Sequence, residues 1–425
     1  MSTSICIFED THFPRLLPLV HFRPVYNLRC GAFSLKEKVE RFFPGTPISL
    51  HCRQYLTDVV RLRSPKSSVN KFTASSYLFI NGRTLVDSNF VKAVRAADRS
   101  DAVFVTKGQL VAARVSGKNL SRLIEVEHEV LSLDHFPGIP QREIEASLIS
   151  YPWELVSQNA SQLHKDCSIL LKGARGKKMK GKISHGVEIL NKEDVMVGEG
   201  SFIKPGVVID AEGGPVCIGK RVTIMPHATI IGPAYIGDGT TIKVGAKIYE
   251  DTTIGPMCKV GGEVEASIIH GYSNKQHDGF LGHSYIGSWV NLGAGTTNSD
   301  LKNNYGTVRV VINGESIDSR EQFVGVTIGD HSKTAINTLL NSGTVVGVAC
   351  NVFGSGFPPG FIPSFAWGMT AATVHDCDKA IATARRAMSR RGVTLSEAEV
   401  ELFKKIFDAT EIERRRALKT RETIV

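Results

Sequence analysis

The chain has 425 residues, 42% of them apolar and 22% charged, so it is long enough for two or more domains with an ordinary buried core. No apolar run reaches the length of a membrane span, and Met1–Asp10 lacks a basic lead and cleavage site, so neither a membrane partner nor a secretory signal is expected. Eight scattered cysteines without Cys-x-x-Cys spacing give no zinc or disulfide frame, which leaves reduced cytoplasmic thiols, and a net charge of +9 suits anionic partners such as nucleotides, sugar phosphates or nucleic acid.

Residues 1–150 read as α/β. Ser4–Phe8 is a short apolar strand, and Leu35–Phe43 has the charge pattern of a helix. Tyr77–Ile80 is a buried strand ending at Asn81-Gly82-Arg83. Ala102–Val105 and Leu110–Val115 form a hairpin around Lys107-Gly108. Strands alternating with helices favour a mostly parallel sheet, whose ligands lie beyond the carboxyl ends of the strands. That puts the loop Glu9–Gly31 and the turn Asn81–Arg83 on one rim. Pro152 suits the first turn of a helix that closes this part of the chain.

A basic, glycine-broken stretch follows, with Lys172, Arg175, Lys177, Lys178, Lys180 and Lys182. No aromatic residue is interleaved, so it reads as a linker or an anion-facing rim rather than a nucleic-acid platform.

From Ile218 the chain becomes strictly periodic. Ile218, Ile224, Ile230, Ile236, Ile242, Ile248 and Ile254 fall six residues apart, and Val260 and Ala266 keep the step. This fits neither an amphipathic helix nor an isolated strand. A short exact repeat marks a solenoid. One inward aliphatic residue per flat face, with three faces to a coil, would stack into a continuous column. Val197, Ile203 and Ile209 carry the phase upstream of a slip at Glu212–Val216. Phe280, Ile286 and Leu292 resume it after a break near Gly271–Gly279. Ile328, Leu340, Val346 and Val352 resume it again after a polar break from about Asn298 to Gly325.

The repeat resembles the left-handed parallel β-helix of hexapeptide-repeat acyltransferases, in which loops that interrupt the coils carry the chemistry. Leu17-Pro18-Leu19, Phe22-Arg23-Pro24-Val25 and Leu28-Arg29-Cys30-Gly31 resemble the sugar-phosphate nucleotidyltransferases, in an alternative branch of the bifunctional uridyltransferase/acetyltransferases that make UDP-N-acetylglucosamine. The two resemblances together imply an α/β nucleotidyltransferase-like domain over 1–170 and a basic linker over 171–190. A β-helix acyltransferase domain follows over 191–375, and a helical tail over 376–425 closes the solenoid's end.

For the first domain the resemblance implies UTP as substrate. Arg23, Arg29 and Lys38 would neutralise the triphosphate and steady the pyrophosphate leaving group. The family's glycine-rich phosphate loop is missing, and Glu9-Asp10-Thr11-His12 stands in its place. Arg83 stands where the family carries a metal-binding aspartate. Asp87, Asn159 and Asp166 are then the candidates to hold Mg2+ for the nucleotidyl step.

In the solenoid, His270, His277 and His283 fall within fourteen residues. Taken by themselves they suit a metal site or a base for acyl transfer, since imidazole titrates near working pH. Trp289 through Thr296 resembles the acetyltransferase segment that follows the catalytic histidine. That places His277 on the base, with Asp278 or another carboxylate to orient it, and makes His283 structural. The resemblance further assigns Lys243, Asn304 and Tyr305 to an amino-sugar phosphate, with Arg309 able to meet a phosphate. Asn291 and Ala294 fall to acetyl-CoA. The family implies a homotrimer with acetyl-CoA between neighbouring solenoids. Three other readings stay open: a nucleotidyltransferase whose solenoid only regulates or assembles, a histidine-zinc hydratase, and a non-catalytic scaffold. Phe353–Trp367 is too aromatic for a solvated linker and is expected across the solenoid's end or a subunit seam.

Overall fold

The computed structural model describes residues 3–96, 100–174, 176–369 and 373–422. Arg175 of the basic stretch and the end of the tail from 423 lie outside these. The chain divides into two units. The first comprises Met1–Leu16, Phe22–Leu28 and Phe33–Tyr151. The second comprises Leu17–His21, Arg29–Ala32 and Pro152–Val425.

The first unit is built on one sheet of seven strands: β1 (Ser4–Phe8), β2 (Ile48–Leu50), β3 (Ser68–Val69), β4 (Ser76–Asn81), β5 (Ala102–Thr106), β6 (Gln109–Ser116) and β7 (Gln141–Glu143), in the order β3-β2-β1-β4-β6-β5-β7. Strands β3, β2, β1 and β4 are parallel, and β6 runs against both its neighbours. The expected hairpin around Lys107-Gly108 is the β5–β6 pair, with Lys107 and Gly108 both at positive φ. All five residues of β1 are buried, as a strand covered on both faces should be. Helix α1 (Leu35–Phe42) starts on a capping box in which Ser34 and Glu37 satisfy each other's backbone amides. Helices α2 (Thr57–Arg63), α3 (Ser88–Ala96) and α4 (Gly117–Ile124) complete the unit.

The second unit opens with α5 (Pro152–Ser157) and α6 (Asn159–Gly173) and continues as a three-sided parallel β-helix. Its first face stacks strands from Lys182–Ile183 to Asn274–Lys275. The second runs from Glu188–Leu190 to Phe280–Gly282, and the third from Val195–Val197 to Phe361–Ile362. Every member of the isoleucine series from Ile218 to Ile254 is at most 1% exposed, in one continuous column. The column exists because parallel register sets like residues directly over one another: Ile203, Ile224, Ile242 and Val260 on one face, Ile218, Ile236 and Ile254 on another.

Three details of the phase differ from the sequence reading. Ala266 does not point inward. It sits in a left-handed turn at φ 41°, and Val264 takes the inward place over Ile248. The segment Gly271–Gly279 is no break, because Asn274–Lys275 pairs with Lys259–Val260 and puts Lys275 in the aliphatic column. Downstream, Leu281 rather than Phe280 stacks on Val264. Periodicity of one residue type missed these positions because the coil is shortened there and a lysine fills an inward slot.

The polar stretch after Asn298, which itself pairs with Leu340, does leave the coil. It includes an antiparallel hairpin, Arg309–Ile312 against Glu315–Asp318, before Thr327–Ile328 rejoins the third face. Phe353–Trp367 is part of the solenoid rather than a cover across its end: Phe361–Ile362 pairs with Val345–Val346, and Ile362 and Phe365 are fully buried. The tail forms α7 (Cys377–Ser389), α8 (Glu397–Ala409) and α9 (Glu411–Glu422). It lies against the coils through Phe403 beside His331, Phe407 beside Phe365, and a hydrogen bond from the Ser364 amide to Glu413. Burial raises the Glu413 carboxyl above its ordinary range. Among the described residues no helix is long and apolar enough to cross a membrane.

Candidate functional sites

In the first unit the carboxyl ends of β1 and β4 carry two ion pairs that no sequence motif announces. Glu9 accepts from Arg53 at both oxygens, Nε at 3.0 Å and Nη2 at 3.1 Å, and from the Val25 amide at 2.9 Å. Arg53 is fully buried, with its guanidinium 4.1 Å from the centre of the Phe13 ring. Asp10 accepts from Arg83 Nη2 at 2.6 Å and from Asn81 Nδ2 at 2.8 Å. Arg83 also donates to the Ile149 carbonyl and to Gln109. Arg83 thus has its counter-charge one strand away, in the residues that follow β1. The same rim buries His51, lowered below the ordinary imidazole range, and Cys52, pushed up to about 12, both by loss of hydration.

Of the residues expected at the nucleotide, Arg23 and Lys38 are buried in the first unit, 4% and 2% exposed, and Arg29 belongs to the second unit. The Arg23 carbonyl accepts from Arg53. The Arg29 backbone is held at both its amide and its carbonyl by the Tyr285 hydroxyl.

The three residues suggested for Mg2+ have structural partners. Asp87 Oδ1 accepts from the amides of Asn89 and Phe90 and caps α3. Asn159, fully buried, accepts from the Gly31 amide at 2.7 Å and from Thr253 Oγ1 at 3.1 Å, and donates to the Asp251 carbonyl. Asp166 packs on Gly31 so closely that a Cβ there would lie 2.3 Å from its Oδ2, which explains the glycine at φ 78°. Asp87 lies in the first unit and the other two in the second. Among the described residues no three His, Cys, Asp or Glu are grouped as for a metal ion. Among the described residues, Asp87, Asn159 and Asp166 are thus not assembled as one Mg2+ site.

In the second unit the histidine segment supplies Asn274–Lys275 on the first face, Phe280–Gly282 on the second and the turn between them. His277 stands exposed in that turn. Its backbone is pinned from both sides. Lys275 Nζ, from inside the coil, donates to the carbonyls of His277 at 3.0 Å and Gly261 at 3.1 Å. The Gly295 amide donates to the Asp278 carbonyl. Gly279, at φ 119°, lies so near the next coil that a Cβ would sit 2.2 Å from the Thr296 carbonyl oxygen. Burial drops the Lys275 ammonium to about 8. The turn is therefore fixed while the imidazole faces solvent, and no hydrogen bond to the ring is found among the described residues.

The other two histidines have partners. His270 Nδ1 is 3.1 Å from Ser288 Oγ. His283 Nδ1 is 2.8 Å from Asp300 Oδ2, with Phe323 stacked on the ring. Asp300 is the carboxylate that sequence reasoning missed, because it lies in the polar stretch set aside as a break. Burial raises Glu265 in the same neighbourhood, against the pull of His283.

Lys243 is half-buried on the first face. Asn304 and Tyr305 lie in the excursion, Asn304 bonding the Gly306 amide and Tyr305 69% exposed. Arg309 is tied to Ser316. Asn291 is exposed and accepts from Asn274 at 3.3 Å, and Ala294 is half-buried with its carbonyl bonded to the Asn337 amide. A groove of about 440 Å3 lies where α6 meets the early coils, lined in part by His164, Lys172, Lys178 and Asp194. No residue of the histidine segment lines it.

Residues 5–175 match the family model described as sugar nucleotidyl transferase. The chain is similar to the bifunctional protein GlmU of Clostridioides difficile, 31% identical over 28% of this chain and 29% of that protein. It is 36% identical to the GlmU of Geotalea uraniireducens over 34% and 35% of the two chains. The matches span about a third or less of the length of these relatives. Among solved structures, a UDP-N-acetylglucosamine acyltransferase from Francisella novicida is 17% identical, with a TM-score of 0.24 over 51% of this chain and 73% of that one.

Proposed function

We propose that this protein makes a nucleotide sugar in two steps, acetyl transfer on the solenoid and uridylyl transfer in the first unit. The observation that carries the first step is the exposed imidazole of His277 on a turn whose backbone is fixed by Lys275 and by the next coil. The neutral ring takes a proton from the amine of an amino-sugar 1-phosphate as the nitrogen attacks the thioester carbonyl of acetyl-CoA. The N–C bond forms, the C–S bond breaks, and the proton passes on to the leaving thiolate. Lys243, Asn304 and Tyr305 hold the sugar phosphate, and Asn291 and Ala294 border the acetyl-CoA. A homotrimer in the cytoplasm is the assembly this reading carries, with no membrane or nucleic-acid partner.

For the second step, the match over residues 5–175 and the parallel strand ends support a nucleotide rim. UTP and the acetylated sugar phosphate react there with release of pyrophosphate. The buried cations Arg23 and Lys38 act on the phosphates more strongly than exposed ones would, since little water screens them.

The test is thiol release from acetyl-CoA with an amino-sugar 1-phosphate. His277→Ala should lower it by about 10²-fold or more. No release from the parent chain with any amino sugar removes the acetyl-transfer reading and leaves a nucleotidyltransferase on a structural solenoid. A second reading has one observation behind it: His283, not His277, has the carboxylate partner that orients a base. If His283→Ala abolishes turnover and His277→Ala does not, the base is the His283–Asp300 pair.

A further inference from the structure

We propose that Lys243, Lys259, Arg390 and Arg391 together form a phosphate-binding site on the first face of the β-helix, with the end of α7 supplying two of the four cations. The ligand is a phosphomonoester or diphosphate. That it belongs to the amino-sugar phosphate or to coenzyme A rests on the acetyl-transfer reading above.

The site begins with the register. Outward-facing positions of the first face form two rows along the solenoid. One reads Lys182, Phe202, Thr223, Thr241, Lys259 and Asn274. The other, two residues on, reads Ser184, Lys204, Met225, Lys243, Gly261 and Gln276. Neither row contains a carboxylate. Lys243 and Lys259 are diagonal neighbours on adjacent coils, and like charges that close cost free energy unless an anion lies between them.

The cations gather on the coils beside the His277 turn. Lys259 and Asn274 are register partners on adjacent coils. Arg391 Nη2 reaches in from the tail and donates to Asn274 Oδ1 at 2.6 Å, which sets its guanidinium beside Lys259. Lys243 stands on the preceding coil next to Gly261, where a Cβ would lie 3.1 Å from its own. Arg390 follows the last turn of α7 and is exposed. None of the four has an ion pair among the described residues. The Lys259 ammonium is held below the ordinary lysine range, first by Arg391, then by burial, then by Lys243 and Arg390. Cations at a helix C-terminus also meet the helix dipole, but that interaction does not require Arg391 to cross to the solenoid or Lys259 to stand beside it. Four cations with donors to spare and no ion pair among the described residues are the complement of a phosphate group.

The experiment titrates the full chain carrying His277→Ala, so that nothing turns over, with glucosamine 1-phosphate, unphosphorylated glucosamine and adenosine 3′,5′-bisphosphate. Adding Arg390→Gln and Arg391→Gln should weaken one phosphorylated probe by about tenfold or more. Glucosamine should be unaffected, and the effect should shrink with added salt. Loss confined to glucosamine 1-phosphate assigns the site to the sugar substrate, and loss confined to the bisphosphate assigns it to coenzyme A. If the double variant melts early, Arg390→Gln alone repeats the measurement without touching the Asn274 contact. Binding of both phosphorylated probes within twofold of the parent, or no binding of either by the parent, overturns the proposal. Failure of thiol release in the unaltered enzyme with phosphate binding intact would remove the acetyl-transfer reading and leave this site standing.

Discussion

The two units treat charge in opposite ways. At the strand ends of the first, Glu9 with Arg53 and Asp10 with Arg83 are buried and satisfied by several hydrogen bonds each. On the first face of the solenoid, Lys243, Lys259, Arg390 and Arg391 have no ion pair among the described residues. A buried pair is self-contained, because each charge has already exchanged water for its partner. An uncompensated cluster is a surface still waiting for its counter-charge. Electrostatics serves structure at the first place, and recognition is the role proposed for the second.

The largest effect expected is on the structural side. Arg83→Met leaves Asp10 buried and unpaired and should cost about 3–5 kcal/mol in denaturant unfolding. Adding Asp10→Leu to the same chain should recover much of the loss, since an apolar replacement of both partners removes the stranded charge. A cost near zero for the single variant would mean that the rim is hydrated and the comparison fails.

Gly279→Ala tests whether the His277 turn is as fixed as its contacts imply. A Cβ against the Thr296 carbonyl at positive φ should cost about 1–3 kcal/mol and depress thiol release together with stability. Unchanged turnover would show that the turn moves freely.

Asp87→Asn separates a helix cap from a metal ligand. As a cap, Asp87 should lose at most about 1 kcal/mol, with the Mg2+ dependence of any nucleotidyl transfer unaltered. A shift in that dependence would place the side chain at a metal after all.

Last comes a pH slope. Lys275 titrates at about 8 in the fold, against an ordinary 10.5. Between those values the unfolded chain holds a proton that the folded chain has released. Stability from this site therefore rises as pH goes from about 8 to about 10.5 and is flat below. The parent should gain on Lys275→Met across that window, and parallel stability curves would sink the assignment.

The isoleucine phase from Ile218 to Ile254 needed no coordinates. A coil of fixed length places each inward residue by counting, so a local pattern determines a long-range stack. The alternating strands of the first unit were legible for a similar reason: runs such as Ser4–Phe8 are apolar throughout, as a doubly covered strand demands. The candidate site was less so. His277 could be placed by likeness to a known segment, yet nothing in the sequence links Lys275 to its carbonyl, Asp300 to His283, Asp10 to Arg83, or Arg391 to Asn274. Each of those pairs joins groups whose spacing along the chain follows no period. They meet only because turns, an excursion and a returning helix bring them within hydrogen-bond reach, where loss of water makes a partner obligatory. Periodicity thus determined the frame, and the tertiary structure decided which charges are spent within it and which are left for a ligand.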